Sequence, residues 1–189
     1  VPDILINGAS VSPDDFVAQD FTNPVDYTVT AMDSSTEVYT VTVSFIGVRF
    51  VDVTSTAPVP DGLSWATAYT TIQEGIDSAS LVSGECEVWV AQGTYNIYQS
   101  DPADTVQMQP DVHVYGGFDG TESERASRNW TSNTTTLDGT SQTYHVVTGS
   151  DNSILDGFTI TNGNAIGTGA DQNGGGMLSN GSITIKNCK

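Results

Sequence analysis

Two aspartates that occupy the same short motif are the first residues in this sequence that could bind a cation. Leu137-Asp138-Gly139 recurs as Leu155-Asp156-Gly157 after 18 residues. If 18 residues make one turn of a coiled chain, Leu137 and Leu155 point into the coil and stack in neighbouring layers. Asp138 and Asp156 then also stack on adjacent layers, where two carboxylates either repel each other or share a cation. Calcium takes such oxygen ligands, so the pair is a candidate calcium site. The alternative is structural, because Asp before Gly is typical of a turn in which the carboxylate accepts nearby backbone N–H groups.

Trp130 is the candidate carbohydrate-binding residue. It lies in a polar stretch, residues 121–133, which is predicted to leave the regular strands, so its indole can be tested for exposure and for stacking on a sugar. Asp119, Glu122 and Glu124 lie at the start of this excursion and could overhang a groove, and a hydrolase needs two or three carboxylates across such a groove. No catalytic or cofactor-binding residue is predicted from these patterns.

The two histidines, His113 and His145, each begin a predicted strand. A histidine pair with an acid could bind a transition metal. The alternative, which the lone position of each residue favours, is ordinary hydrogen bonding at the end of a strand.

Charge limits the classes of partner. The chain has 23 acidic and 5 basic residues, for a net charge of −18, and the basic residues form no cluster in the sequence. Nucleic acid and anionic membrane surfaces are therefore not expected as partners, because phosphate binding needs clustered Lys and Arg. The sequence has no run of 18 apolar residues, so no membrane span is predicted. The two cysteines, Cys86 and Cys188, are expected to be free, buried thiols.

The order of predicted elements divides the chain at residue 46. Residues 1–46 alternate with the period of β-strands, and residues 27–31 and 38–43 flank a turn, which predicts a hairpin. In residues 47–189 a helix is predicted over residues 71–80, with Thr70 or Thr71 as its cap and Ile72, Ile76 and Ala79 on one face. Short strands cut by Gly and Asn at a period near 20 then predict a coil with one turn per repeat, which the helix would cap. Hairpins at the Asp-Gly pairs are the competing interpretation.

A series of short segments occurs in order along the second part of the chain, namely residues 51–52, 61–62, 64–69, 88–95, 114–118, 128–130, 144–147, 155–160 and 173–177. Together they resemble the N-terminal cap and first turns of secreted right-handed parallel β-helix proteins of bacterial surfaces. The Gly174-Gly175-Gly176-Met177 segment is similar to repeats of polymorphic outer-membrane proteins. Residues 20–31 and 39–43 resemble the C-terminal half of a bacterial immunoglobulin-like module. The fold class expected is thus all-β: a right-handed single-stranded parallel β-helix with an N-terminal capping helix, preceded by a partial Ig-like β-sandwich.

The resemblance implies a secreted or cell-surface bacterial protein, and both ends of the sequence suggest a fragment of a longer chain. The preferred hypothesis is a structural or adhesin-like module that is not an enzyme. Its partners would be glycans or surface proteins of a host or neighbouring cell. The alternative is a polysaccharide-binding or polysaccharide-degrading β-helix protein, a lyase or glycoside hydrolase, whose site lies in missing turns. End-to-end self-association through an open final layer is a third possibility.

Overall fold

The computed structural model describes residues 10–13, 18–20, 24–41, 47–179 and 181–189, and the chain divides into two compact units, residues 1–45 and 46–189. The described residues of the first unit form three antiparallel strands in the order β1-β2-β3. These are β1 (Ser10–Ser12), β2 (Val25–Thr30) and β3 (Thr36–Val41). The predicted hairpin is confirmed, because β2 pairs with β3 across a short turn. Its predicted extension through residues 42–43 lies outside the described residues.

As far as the structure describes it, the second unit is mostly parallel sheet with one α-helix. In chain order its elements are β4 (Gly47–Val51), α1 (Ile72–Ser80), β5 (Cys86–Ala91), β6 (Gly93–Asn96), β7 (Val106–Gln107), β8 (Val112–Phe118), β9 (Thr135–Asp138), β10 (Val147–Thr148), β11 (Ser153–Asp156), β12 (Phe158–Thr161), β13 (Met177–Leu178) and β14 (Ile183–Lys186).

These strands form three parallel sheets, and the chain adds strands to the three sheets in turn. One sheet has the order β4-β5-β8-β11-β14, a second has β6-β9-β12, and the third has β7-β10-β13. From β5 onward the chain therefore returns to the same sheet at every third strand. The mostly-β class predicted from the short β-branched strands is confirmed.

The predicted stacking of Leu137 on Leu155 is wrong. Leu137 in β9 pairs with Tyr95 and Ile160, whereas Leu155 in β11 pairs with Val114 and Ile185, in a different sheet. The segments between paired strands differ in length, so the strands do not repeat at a constant spacing along the sequence. Both leucines are nevertheless fully buried in the same apolar core, as their place before Asp-Gly predicted.

The core of the second unit lies on one face of the five-stranded sheet. Val88, Val114 and Leu155 occupy paired positions on β5, β8 and β11, and each is fully buried. Because side chains alternate along a strand, the residues between them must point to the opposite face. That opposite face, which we call the outer face, carries the polar and aromatic groups described below.

Helix α1 begins with a capping box at Thr71, one of the two cap residues that the sequence predicted. The Thr71 hydroxyl accepts the Glu74 N–H, and the Glu74 carboxylate accepts the Thr71 N–H at 3.1 Å. Ile72, Ile76 and Ala79 are buried on one face, together with Gly75. This face packs on strands β4 and β5, and β4 is the edge strand of the five-stranded sheet.

Replacing Thr71 by Ala is expected to destabilise the second unit by about 1 kcal/mol, because the Glu74 N–H loses the hydroxyl that accepts it and the Glu74 carboxylate loses the hydroxyl that donates to it. Urea denaturation would measure the loss. Ser80→Ala at the other end of the helix is the control, since its hydroxyl only donates to the Asp77 carbonyl in an exposed position. Equal stability of the Thr71 variant and the parent would contradict the capping role.

Both cysteines are free, as predicted, but the predicted burial is correct only for Cys86. Cys86 is buried, whereas Cys188 is only half-buried. Desolvation raises the pKa of each thiol above its ordinary value, which favours the protonated, unreactive form. Within the described residues, no helix is long and apolar enough to cross a membrane.

Candidate functional site

Two rows of side chains run across the outer face, perpendicular to the strands. Strand register places Glu87, His113, Ile154 and Thr184 in one row. It places Trp89, Tyr115, Asp156 and Lys186 in the next row. Apolar, aromatic and charged groups from four successive strands are thus brought onto one surface.

The β4 end of the outer face is an aromatic cluster closed by the loop that follows β8. Trp89 stacks on Phe118 with ring centroids 4.9 Å apart, and Phe50 meets both Trp65 and Trp89 edge to face. The Trp65 indole donates to the Glu122 carbonyl at 2.9 Å, which ties the loop down. Trp65 and Trp89 are therefore used for packing.

The same loop, residues 119–134, lays two arginines over Tyr115. The guanidinium of Arg125 lies 4.7 Å from the centre of the Tyr115 ring. Arg128 lies between two rings, 5.1 Å from the centre of Tyr115 and 4.8 Å from that of Trp130. Cation–π contacts of this kind orient an aromatic ring. Trp130 is 41% exposed and is backed by Arg128, which makes it a fixed indole platform.

Arg128 is held in turn by a buried ion pair with Asp156. Arg128 Nη2 lies 2.7 Å from Asp156 Oδ2, and the two side chains are 7% and 9% exposed. Arg128 Nη1 also donates to the carbonyls of Gly116 and Asp156, and Asn187 donates to Asp156 Oδ1. Every oxygen of the Asp156 carboxylate therefore has a protein partner.

This arrangement removes the basis of the predicted calcium site. Asp138 and Asp156 lie in different sheets, so they do not stack. Asp138 Oδ1 accepts the Thr140 N–H and the Asn162 amide, which is the turn role that was the alternative. Within the described ranges, no group of three or more His, Cys, Asp and Glu side chains is arranged to hold a metal ion.

Glu87 is the second buried carboxylate of the outer face and is also committed to partners. It is 5% exposed. Its Oε2 accepts the Trp89 indole N–H at 2.6 Å, and its Oε1 forms an ion pair with Arg125. Arg125 Nη1 also donates to the Tyr115 hydroxyl at 3.1 Å. Desolvation raises the pKa of Tyr115, partly opposed by Arg125, so this hydroxyl stays protonated at neutral pH.

Two clefts meet at the Glu87–Arg125 pair. The Trp130 cleft, of about 640 Å³, is lined by Glu87, Glu124, Arg125, Ala126, Arg128 and Trp130. The Lys186 cleft, of about 730 Å³, is lined by Glu85, Glu87, His113, Tyr115, Arg125, Asn152, Ser153, Ile154, Ser182, Thr184 and Lys186. Because they share Glu87 and Arg125, the two clefts adjoin along the outer face.

The basic residues cluster in space, although the sequence showed no cluster. Arg125, Arg128 and Lys186 all line these two clefts, and they are three of the five basic residues in the chain. Loop 119–134 brings two of them over β8, and strand pairing brings the third beside β11. Charge counting along the chain could not find this arrangement.

The other acidic candidates have different roles. The Glu122 carboxylate accepts hydrogen bonds from the N–H groups of Asp119 and Gly120. The Asp119 carboxylate accepts one from the Thr121 hydroxyl, so these two side chains close a turn. The Thr121 hydrogen bond holds the pKa of Asp119 below its ordinary value. Glu124 alone of the three lines the Trp130 cleft.

The two histidines lie apart, each facing a carboxylate. His113 Nε2 lies 3.8 Å from Glu85, and His145 Nε2 lies 3.5 Å from Asp171. His113 belongs to the five-stranded sheet, whereas His145 precedes β10 of another sheet. The structure therefore does not bring them together as a metal pair.

Glu87, Arg125, Arg128 and Lys186 are the site residues that sequence reasoning missed. The signal for Glu87 was available, because a charged residue inside the apolar run of β5 needs a partner when buried. Arg128 carried no such signal, since it lies in a polar loop and its partner is distant in the sequence.

Comparison with known proteins gives one partial match. Residues 1–43 match the family described as "SGBP, N-terminal". No curated protein and no solved structure matches the chain. The matched segment lies in the first unit and suggests a bacterial surface glycan-binding protein.

Proposed function

We propose that this chain belongs to a bacterial cell-surface or secreted protein that binds glycans, and that the Trp130 cleft is a glycan-binding site. The match of residues 1–43 supports the surface glycan-binding class. The observation that carries the site is the exposed Trp130 indole, backed by the buried Arg128 and bordered by Glu124 and Arg125. An aromatic face beside planar hydrogen-bonding groups suits a sugar ring, which has apolar faces and polar edges.

The proposed architecture is the one that the sequence resemblance implies. Residues 1–46 would form an Ig-like spacer, and residues 47–189 a right-handed parallel β-helix capped by α1. The return of the chain to each parallel sheet at every third strand supports a coil, with one strand per sheet in each turn. Such a coil would present the outer face as a continuous glycan-binding surface.

We propose binding without cleavage at this site. A glycosidase needs a carboxylic acid and a second carboxylate that are free to reach the glycosidic bond. Both oxygens of Asp156 and both of Glu87 have partners in the protein. Among the residues that the structure describes, this leaves Glu124 as the uncommitted carboxylate of the Trp130 cleft. One such group does not form a hydrolytic pair.

Replacing Trp130 by Ala is expected to weaken glycan binding by about 10-fold or more, because truncating an aromatic anchor at the centre of a site typically costs about 2 kcal/mol. Affinity electrophoresis in gels containing starch, dextran, xylan or galactomannan would identify the glycan, and calorimetry would measure the affinity. Trp130→Phe should retain part of the affinity.

Leu81→Ala is the matched control, since Leu81 is 87% exposed after α1 and lies outside both clefts. It should bind like the parent. Unchanged affinity of the Trp130→Ala protein for a glycan that the parent binds would overturn the site. Release of reducing ends or unsaturated sugars by the parent would overturn binding without cleavage.

A further inference from the structure

We propose that the glycan carries an acidic group, a carboxylate or a sulfate, and that Arg125 and Lys186 bind it in the Lys186 cleft. This inference rests on the proposed function and adds the chemical class of the ligand. It starts from the hydrogen-bond donors of these two side chains that have no partner among the residues the structure describes.

Arg125 has an unused edge. Its hydrogen bonds to Glu87 and Tyr115 both come from Nη1. Its Nε and Nη2 have no hydrogen-bond partner among the described residues, and its side chain is 47% exposed. Nε and Nη2 form the fork that binds a carboxylate or sulfate through two parallel hydrogen bonds. The contact with Glu87 thus fixes the guanidinium while leaving this fork open.

Lys186 supplies a second cation to the same cleft. Its register partner on β11 is Asp156, whose two oxygens are already taken by Arg128 and Asn187. Within the part of the chain that the structure describes, the Lys186 ammonium forms no ion pair or side-chain hydrogen bond. Asn152, Ser182 and Thr184 line the cleft beside it and can bind hydroxyl groups of a sugar.

The two glutamates that line this cleft neutralise Arg125 and Lys186 to different extents. Glu87 is shared between Arg125 and the Trp89 indole, and Glu85 lies toward His113, at 3.8 Å. The net charge of −18 repels an anion at long range, but this repulsion is screened beyond about 8 Å at physiological ionic strength. Contact interactions inside the cleft are screened much less, so they decide which anion is held there.

The test compares matched polysaccharides that differ only in the acidic group. Dextran and dextran sulfate form one pair, and polygalacturonate and its methyl ester form the other. At physiological ionic strength, we expect the parent protein to bind the acidic member of one pair at least 5-fold more tightly than the neutral member. The pair that shows the difference identifies sulfate or carboxylate. Lys186→Gln should remove most of that preference.

Lys189→Gln is the matched control, because it makes the same charge change outside both clefts. It should keep the preference for the acidic polysaccharide. Equal binding of both members of each pair, or equal loss in the Lys186 and Lys189 variants, would overturn the acidic-ligand inference, while a loss of neutral-glycan binding in Trp130→Ala would still support the proposed function. Failure to bind any of the polysaccharides, neutral or acidic, would contradict both.

Discussion

Replacing Asp156 by Ala is expected to lower the free energy of unfolding of the second unit by about 3–5 kcal/mol, because it leaves the Arg128 guanidinium buried without its counter-charge. The Arg128 side chain is 7% exposed, so water cannot take the place of the carboxylate without opening loop 119–134. Whole domains are stable by only about 5–15 kcal/mol. The loss therefore represents a large share of the stability of this unit.

Tryptophan fluorescence during urea denaturation is the measurement. All three tryptophans, Trp65, Trp89 and Trp130, lie in residues 46–189, so the signal reports the second unit alone. Asp77→Ala is the control, since Asp77 is an exposed helical residue that accepts one hydrogen bond from Gln73. It should change stability by about 0.5 kcal/mol or less. Equal losses in the two variants would mean that Arg128 and Asp156 are not a buried ion pair.

A double variant separates the stability of the ion pair from its effect on Trp130. Replacing both residues by apolar side chains, as in Arg128→Met with Asp156→Leu, removes the buried charges together and should recover much of the lost stability. It also removes the cation that backs the Trp130 ring. If the double variant regains stability but binds glycan more weakly than the parent, Arg128 is a positioning residue. If it regains stability and also binds glycan like the parent, the role of Arg128 is limited to stability.

Local features of this chain could be predicted from sequence because local interactions determine them. The capping box of α1 depends on Thr71 and Glu74, three residues apart, and the hairpin of β2 and β3 depends on two alternating strands and the turn between them. In each case the interacting residues are near neighbours, so their spacing specifies the geometry.

The register of the parallel strands could not be predicted in this way. Leu137-Asp138-Gly139 and Leu155-Asp156-Gly157 have the same local role, since each ends a strand with a buried Leu and a following Gly. The local role does not specify which sheet the strand joins, and the two motifs lie in different sheets. Parallel strands are connected by long segments of variable length, so the 18-residue spacing did not correspond to one turn. The candidate calcium site depended on that spacing.

Gly117, near the end of β8, fixes where Trp130 lies, and replacing it should have the second large effect. Gly117 has a φ of +93°, and a Cβ placed there would lie 2.5 Å from Trp130 Cα and 2.7 Å from Trp130 N. These are backbone atoms, which cannot rotate away as the end of a side chain can. The Gly117 carbonyl also accepts the Asn129 N–H at 2.8 Å, so the loop is anchored at the same point.

Gly117→Ala is therefore expected to destabilise the second unit by more than backbone strain alone. Gly84→Ala isolates the strain, because Gly84 has nearly the same φ, +91°, and a Cβ added there would have no atom within 4 Å. A non-glycine residue in this region costs about 1–3 kcal/mol, and forcing an atom into a packed site adds about 1–3 kcal/mol. The difference between the two variants in urea denaturation measures the clash with Trp130. Gly117→Ala should also weaken glycan binding, whereas Gly84→Ala should not. Equal stability losses and unchanged binding in both variants would show that Gly117 does not set the position of the Trp130 platform.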